Sequence, residues 1–126
     1  MMIRQAVLLL EDEPFIALDL EGLLFETGME DVVTLASCAD ALEWLEGNTP
    51  KLAIVDPRLN DGICSAVVRK LVGRSVPFLL YSGESGSLVD EEPAFGRGEH
   101  LPKPSQPGAI IAGIHRALNP ERPLPA

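Results

Sequence analysis

Positive charge is scarce in this chain. Ten Lys and Arg stand against nineteen Asp and Glu, a formal charge of −9, and before residue 58 the only cationic side chains are Arg4 and Lys51. That balance opposes general binding to nucleic-acid backbones or to anionic membranes. Aromatic residues are also few, 5% of the chain, and none is interleaved with basic residues to grip a single strand. No apolar run approaches membrane-spanning length, and no basic segment with a signal-length apolar core stands at the start. No nucleic-acid or membrane partner is expected, and the protein reads as soluble and cytoplasmic. Cys38 and Cys64 are the only cysteines and lack metal-ligand spacing. They read as buried free thiols in a reducing compartment.

Hydrophobic residues make up 46% of the 126, enough for one folded domain with a single core. The central stretch is Lys51–Gly62, KLAIVDPRLNDG. Its run Leu52-Ala53-Ile54-Val55 predicts a strand covered on both faces, as in a parallel sheet. Asp56 would stand at the carboxyl end, where open α/β sheets place their chemistry. A strand-ending Asp that only accepts loop hydrogen bonds is the plainer reading of that stretch alone.

The rest of the chain repeats the pattern. Ala6–Leu10 is a second buried strand, ending in Glu11-Asp12-Glu13. Pro14 suits the first turn of a helix; Ile16, Leu20, Leu23, Leu24 and Thr27 line its inner face, and Gly28 stops it. Asp31–Leu35 is a shorter strand. Ser37 caps the next helix, with Asp40 three residues on; Cys38, Ala41, Leu42 and Leu45 face inward and Trp44 lies half exposed. Ile63–Leu71 predicts a third helix, with Ile63, Ala66, Val67 and Leu71 inward. Val76–Ser82 is the fourth strand. Gly83–Gly96 carries three glycines and a proline and reads as a loop with one helical turn. Arg97–Leu101 is a short strand, Lys103-Pro104 turns the chain, and Ser105 caps a last helix with Ile110, Ile111, Ile114 and Leu118 inward. Five strands alternating with helices imply right-handed crossovers around a parallel sheet.

Glu11, Asp12 and Asp56 thus gather at strand ends. Carboxylates this close repel unless neutralised, and a hard cation such as Mg²⁺ prefers such oxygen ligands. Ser82 and Lys103 close the fourth and fifth strands. A hydroxyl and an ammonium beside a metal-bound carboxylate suit an incoming phosphoryl group, with Asp56 as nucleophile.

The pieces LLLEDEP, AIVDPRLNDG, LLYSG and HLPKP, in this order from Ile3 to Leu118, resemble the receiver domain of two-component response regulators. The stretch Phe15–Leu20 and the Gly-rich segment resemble stand-alone alphaproteobacterial receivers in particular. The resemblance implies a doubly wound, flavodoxin-like sheet of order 2-1-3-4-5 with a degenerate fourth helix. A receiver domain would span residues 1–119, and 120–126 would form a short tail. It also implies that Asp56 accepts phosphate from a sensor histidine kinase or a histidine phosphotransfer protein. Asp12 would bind Mg²⁺ directly and Glu11 through water, with Asp56 and the Arg58 carbonyl as further ligands. Ser82 and Lys103 would engage the phosphoryl oxygens. The protein would act as relay intermediate, phosphate sink or contact regulator; a homodimer stays open.

Several positions depart from the family pattern. Pro57 follows the acceptor in place of an aliphatic residue and would stiffen the loop. His100 stands where many receivers carry a switching Tyr or Phe. Arg58 and Glu84 would overhang the phosphate and could bridge the entrance. His115 reads as a surface residue. Two competing readings remain: an unphosphorylated pseudo-receiver that binds proteins, and a small Mg-dependent phosphohydrolase of the haloacid-dehalogenase type. Arg58 stands where the latter needs a second Asp.

Overall fold

The computed structural model describes residues 2–3, 5–83 and 88–119. Five strands form the central sheet: β1 (Val7–Leu10), β2 (Val32–Leu35), β3 (Leu52–Val55), β4 (Phe78–Ser82) and β5 (Glu99–Pro102). All pairings are parallel, in the order β2-β1-β3-β4-β5, which is the predicted 2-1-3-4-5. Two small two-stranded sheets stand apart from it: Met2–Ile3 runs beside Asn48–Thr49, and Arg58–Leu59 folds back on Gly62–Ile63.

The strands alternate their side chains between two layers, as the pleat dictates. Leu8, Leu10, Ala53, Val55, Phe78 and Leu80 face one core, which α2 (Cys38–Gly47) and α3 (Ser65–Gly73) cover. Val7, Leu9, Leu52, Ile54, Leu79 and Tyr81 face the other, under α1 (Pro14–Glu26) and α5 (Pro107–Leu118). Every residue of β1, β3 and β4 is buried. Their unbroken apolar runs follow from being covered on both faces.

The Gly-rich crossover between β4 and β5 holds a single turn, α4 (Leu88–Glu91), and then a 3₁₀ turn, Pro93–Arg97. Leu88 and Phe95 anchor it, at 3% and 0% exposure. Phe95 carries no periodic signal in the sequence, yet full burial of a Phe is worth about 1.5–3 kcal/mol. Glu92 caps the 3₁₀ turn by accepting from the Ala94 N–H, and pairs with Arg69 of α3 at 2.9 Å. Gly98 then passes so close to Phe78 that a Cβ would lie 2.3 Å from its ring.

Other expectations shift by a residue or change partner. Ile63 belongs to the short hairpin rather than to α3, because Gly62 turns the chain at φ +123°. In α1, Ala17 takes a buried place and Thr27 is the C-cap, its hydroxyl donating to the Leu24 carbonyl. Ser105 does not cap α5. Its hydroxyl donates to the Pro102 carbonyl, and Gln106 is the N-cap. The inner stripe of α5 is Ile110, Gly113, Ile114 and Ala117, which leaves Ile111 41% exposed. Ser37 does cap α2, through the Asp40 N–H, and Trp44 is half-buried.

The cysteines are the main correction. Cys38 and Cys64 form a disulfide, with 5.5 Å between their Cα atoms, and neither is a free thiol. The connection joins positions that chain order separates by 26 residues. The fold brings them together by laying the β3–α3 loop against the start of α2. No helix among the described residues is long and apolar enough to cross a membrane.

Candidate functional site

Sheet register assembles the site. Leu10 lies beside Val55, so the residues that follow them, Glu11 and Asp56, leave the sheet side by side. The Asp56 N–H continues the ladder by donating to the Leu10 carbonyl at 2.9 Å. On the next strands Ser82 pairs with Pro102, and the Lys103 N–H donates to the Ser82 carbonyl at 2.8 Å. The two acids and the lysine therefore meet at the carboxyl edge of the sheet.

Lys103 is the hub. Its Nζ lies 2.6 Å from Glu11 Oε1 and 2.9 Å from Asp56 Oδ2. It also sits 5.6 Å from the centroid of the Tyr81 ring. Burial pushes its pKa down, but the hydrogen bonds it donates to Glu11 and Asp56 and their charges outweigh this, and the net direction is upward. The group is an ammonium at any physiological pH.

Each carboxylate has a distinct setting. Glu11 is 3% exposed, and its second oxygen accepts from the Glu13 N–H at 3.1 Å. Asp56 is half-buried, and its Oδ1 accepts from the Arg58 N–H at 3.0 Å. Asp12 is half-buried and makes no hydrogen bond or ion pair among the described residues. Oxygens of all three acids lie within 4.8 Å of one another. This all-oxygen donor set fits a hard divalent cation. Asp12 offers the least engaged carboxylate, and Glu11 the most engaged.

The loop after Asp56 is tightly held. Pro57 is buried, and its carbonyl accepts from the Cys64 N–H at 2.8 Å. Asp61 reaches α2: its two oxygens accept from the Cys38 and Ala39 N–H groups at 2.9 and 3.0 Å. Those bonds hold its carboxyl below the usual carboxylate range.

Of the expected site residues, Glu11, Asp12, Asp56 and Lys103 come together, and buried Ser82 lies on the adjoining strand end. Arg58 stands at the rim, where its guanidinium pairs with Glu91 of α4 at 2.6 Å. The expected bridge partner Glu84 lies outside the described residues. His100 is not in the acidic cluster. Its side chain is exposed on β5, with Nε2 2.9 Å from the Phe95 carbonyl oxygen. His115 is exposed on α5. Sequence reasoning missed Asp61, Glu91 and Tyr81. Asp61 sits in an Asn-Asp-Gly turn, a composition that often supplies capping side chains, while Glu91 carried no such signal.

Five parallel strands in this order, with acids and a lysine at their carboxyl edge, define a doubly wound, flavodoxin-like α/β domain. No family model matches the chain. It is 30% identical to SdrG of Sphingomonas melonis Fr1, over 90% of this chain and 96% of that one, with a TM-score of 0.76. The PhyR stress response regulator is 35% identical over 90% of this chain and 44% of its own, with a TM-score of 0.73. The transcriptional regulatory protein PdtaR of Mycobacterium tuberculosis is 30% identical over 98% of this chain. The chain spans 62% of the length of PdtaR. The chain belongs to the receiver domains of two-component response regulators.

Proposed function

We propose that the chain is a phosphoacceptor receiver that takes a phosphoryl group on Asp56 from a phosphohistidine donor. The observation that carries this reading is the setting of Asp56. It is a half-buried carboxylate one residue beyond β3, 2.9 Å from the Lys103 ammonium and within 4.8 Å of Glu11 and Asp12. Mg²⁺ would be held by Asp12, Asp56 and the Arg58 carbonyl, with Glu11 behind a water. When bound it would neutralise charge on the transferring oxygens.

In the transfer, an Asp56 carboxylate oxygen attacks phosphorus, the P–N bond of the donor breaks, and its electron pair returns to the imidazole. The Lys103 ammonium, 2.9 Å from Asp56 Oδ2, stands beside the attacking group. Lys103 then exchanges its bond to Asp56 for one to a phosphoryl oxygen, keeping its bond to Glu11. The Ser82 hydroxyl donates to another. Such preorganised donors are the main means of stabilising phosphoryl transfer. The donor, a sensor kinase or a phosphotransfer protein, would dock on α1, which exposes Phe15 by 79%, Leu18 by 64% and Phe25 by 56%. Their spacing of three and seven residues puts them on one side of the helix, and exposed apolar faces mark interaction surfaces.

Acetyl phosphate with Mg²⁺, read by intact mass, tests the reading. One phosphoryl group should add to the wild type and none to Asp56→Asn. Labelling that persists unchanged in Asp56→Asn would place the chemistry elsewhere.

A further inference from the structure

Cys38 and Cys64 take no part in the acceptor chemistry, yet they join two segments that border it. Cys64 ends the loop that begins at Asp56, and its N–H is bound to the Pro57 carbonyl at 2.8 Å. Cys38 is the first residue of α2. The S–S bond therefore fastens the acceptor loop to the neighbouring helix. The carboxylate of Asp61 fastens the same two segments through the Cys38 and Ala39 N–H groups.

Two features distinguish this bond from an inert crosslink in a core. The first is access. Cys64 is 1% exposed, but Cys38 is only half-buried, at the mouth of the loop. An attacking thiolate needs one reachable sulfur, and Cys38 offers it. The second is where the released sulfurs would rest. Cys64 is the N-cap of the nine-residue α3, where no side-chain hydrogen bond caps the helix. Cys38 opens the ten-residue α2. Helix N-termini stabilise thiolates, and a stabilised thiolate is the better leaving group in disulfide exchange.

We propose that Cys38–Cys64 is a thiol–disulfide exchange site for dithiol reductants, and that its state sets how firmly the 57–64 loop is held beside Asp56. A thiolate of the dithiol attacks Cys38 Sγ. The S–S bond breaks, and its electron pair leaves on Cys64 Sγ at the start of α3. The second thiol of the reductant then attacks the reductant sulfur of the mixed disulfide, and Cys38 leaves as a thiolate at the start of α2. Two electrons and two protons pass to the protein, which ends with two thiols, while the reductant ends as a disulfide. In the reduced state Asp61 keeps its bonds to α2, but the covalent limit on the loop is gone. Local opening of 57–64 then becomes easier.

The consequence for Asp56 rests on the phosphoacceptor reading; the exchange itself does not. The test uses the whole chain, without denaturant. The oxidised protein is treated with dithiothreitol, alkylated and weighed, and hydrogen exchange is followed in both states. We expect two alkyl groups after reduction and none before. Exchange of the 58–64 amides and of the first turn of α2 should rise by about tenfold on reduction. The double variant Cys38→Ser, Cys64→Ala should match the reduced wild type with or without reductant. Alkylation that needs denaturant would overturn the exchange site, and equal exchange rates in both states would overturn the latch. Acetyl phosphate labelling of both states separates the two readings. A difference in rate supports the link to Asp56, and equal rates sever it. An absence of labelling in both states counts against Asp56 as acceptor, while alkylation and amide exchange still decide the disulfide.

Discussion

Replacing Lys103 by Met should destabilise the fold by about 3 kcal/mol when no divalent cation is present. The wild-type ammonium lies 2.6 Å from Glu11 and 2.9 Å from Asp56. At an effective dielectric of about 20 each pair attracts by about 6 kcal/mol before desolvation is counted. Desolvation offsets most of this, since the side chains are 17%, 2% and 15% exposed for Lys103, Glu11 and Asp56. What Met removes is the partner of an acid that stays buried, and breaking a buried pair costs about 3–5 kcal/mol. The site opens to solvent at Asp12, which favours the lower figure. For a domain of this size the loss lowers the melting temperature by about 10 °C. Glu11→Gln added to Lys103→Met should recover part of it, because the stranded charge is gone. Millimolar Mg²⁺ should raise the melting temperature of Lys103→Met more than that of wild type, since the cation takes over the neutralising role. The pH dependence has a fixed sign. Lys103 titrates above its ordinary value of 10.5. Its contribution is therefore complete below that pH and is lost as pH rises through the elevated value. On the alkaline side the gap between wild type and variant should narrow in strong alkali. A Lys103→Met protein that melts within about 2 °C of wild type without Mg²⁺ would refute the reasoning.

Three further outcomes follow from the packing. Gly98→Ala should cost about 1–3 kcal/mol, because its Cβ would meet the ring of a Phe78 that is 3% exposed; chemical denaturation measures this, and a neutral effect would mean that the ring can move. Phe95→Ala should cost about 3–5 kcal/mol and speed amide exchange from Leu88 to Arg97, whereas an unchanged exchange pattern would deny it the role of anchor. Asp61→Ala should melt below wild type at neutral pH. Asp61 is held below 3.8 by the Cys38 and Ala39 N–H groups, so its contribution is present above that value and lost as pH falls through the lower folded one. The two melting curves should converge in acid, and a gap that persists there would assign the effect to something other than the charge.

What the chain reveals before folding depends on how local each cause is. β1, β3 and β4 are legible because burial on both faces demands continuous apolar runs. Once those strands are paired in register, Glu11 and Asp56 must be neighbours. Lys103 is legible as the residue beyond β5, though its simultaneous hold on two acids is not. Phe95 escaped because a lone aromatic among glycines has no period. The disulfide escaped because it depends on where the β3–α3 loop lies against α2, which no spacing encodes. Arg58 was matched with Glu84 on sequence distance from the site. The observed partner Glu91 is selected by the placement of α4 over the rim.

The sheet is a partition one residue thick. Leu24 on α1 and Leu71 on α3 are both fully buried, yet they belong to separate cores. Truncating both should give losses that add, since they share no packing partner across the wall. The same independence acts on a lineage. The layer of α1 and α5 can be recut while α2, α3 and the loop after Asp56 keep their fit. Each half of the molecule can drift at its own pace, so long as the strands between them stay apolar on both sides.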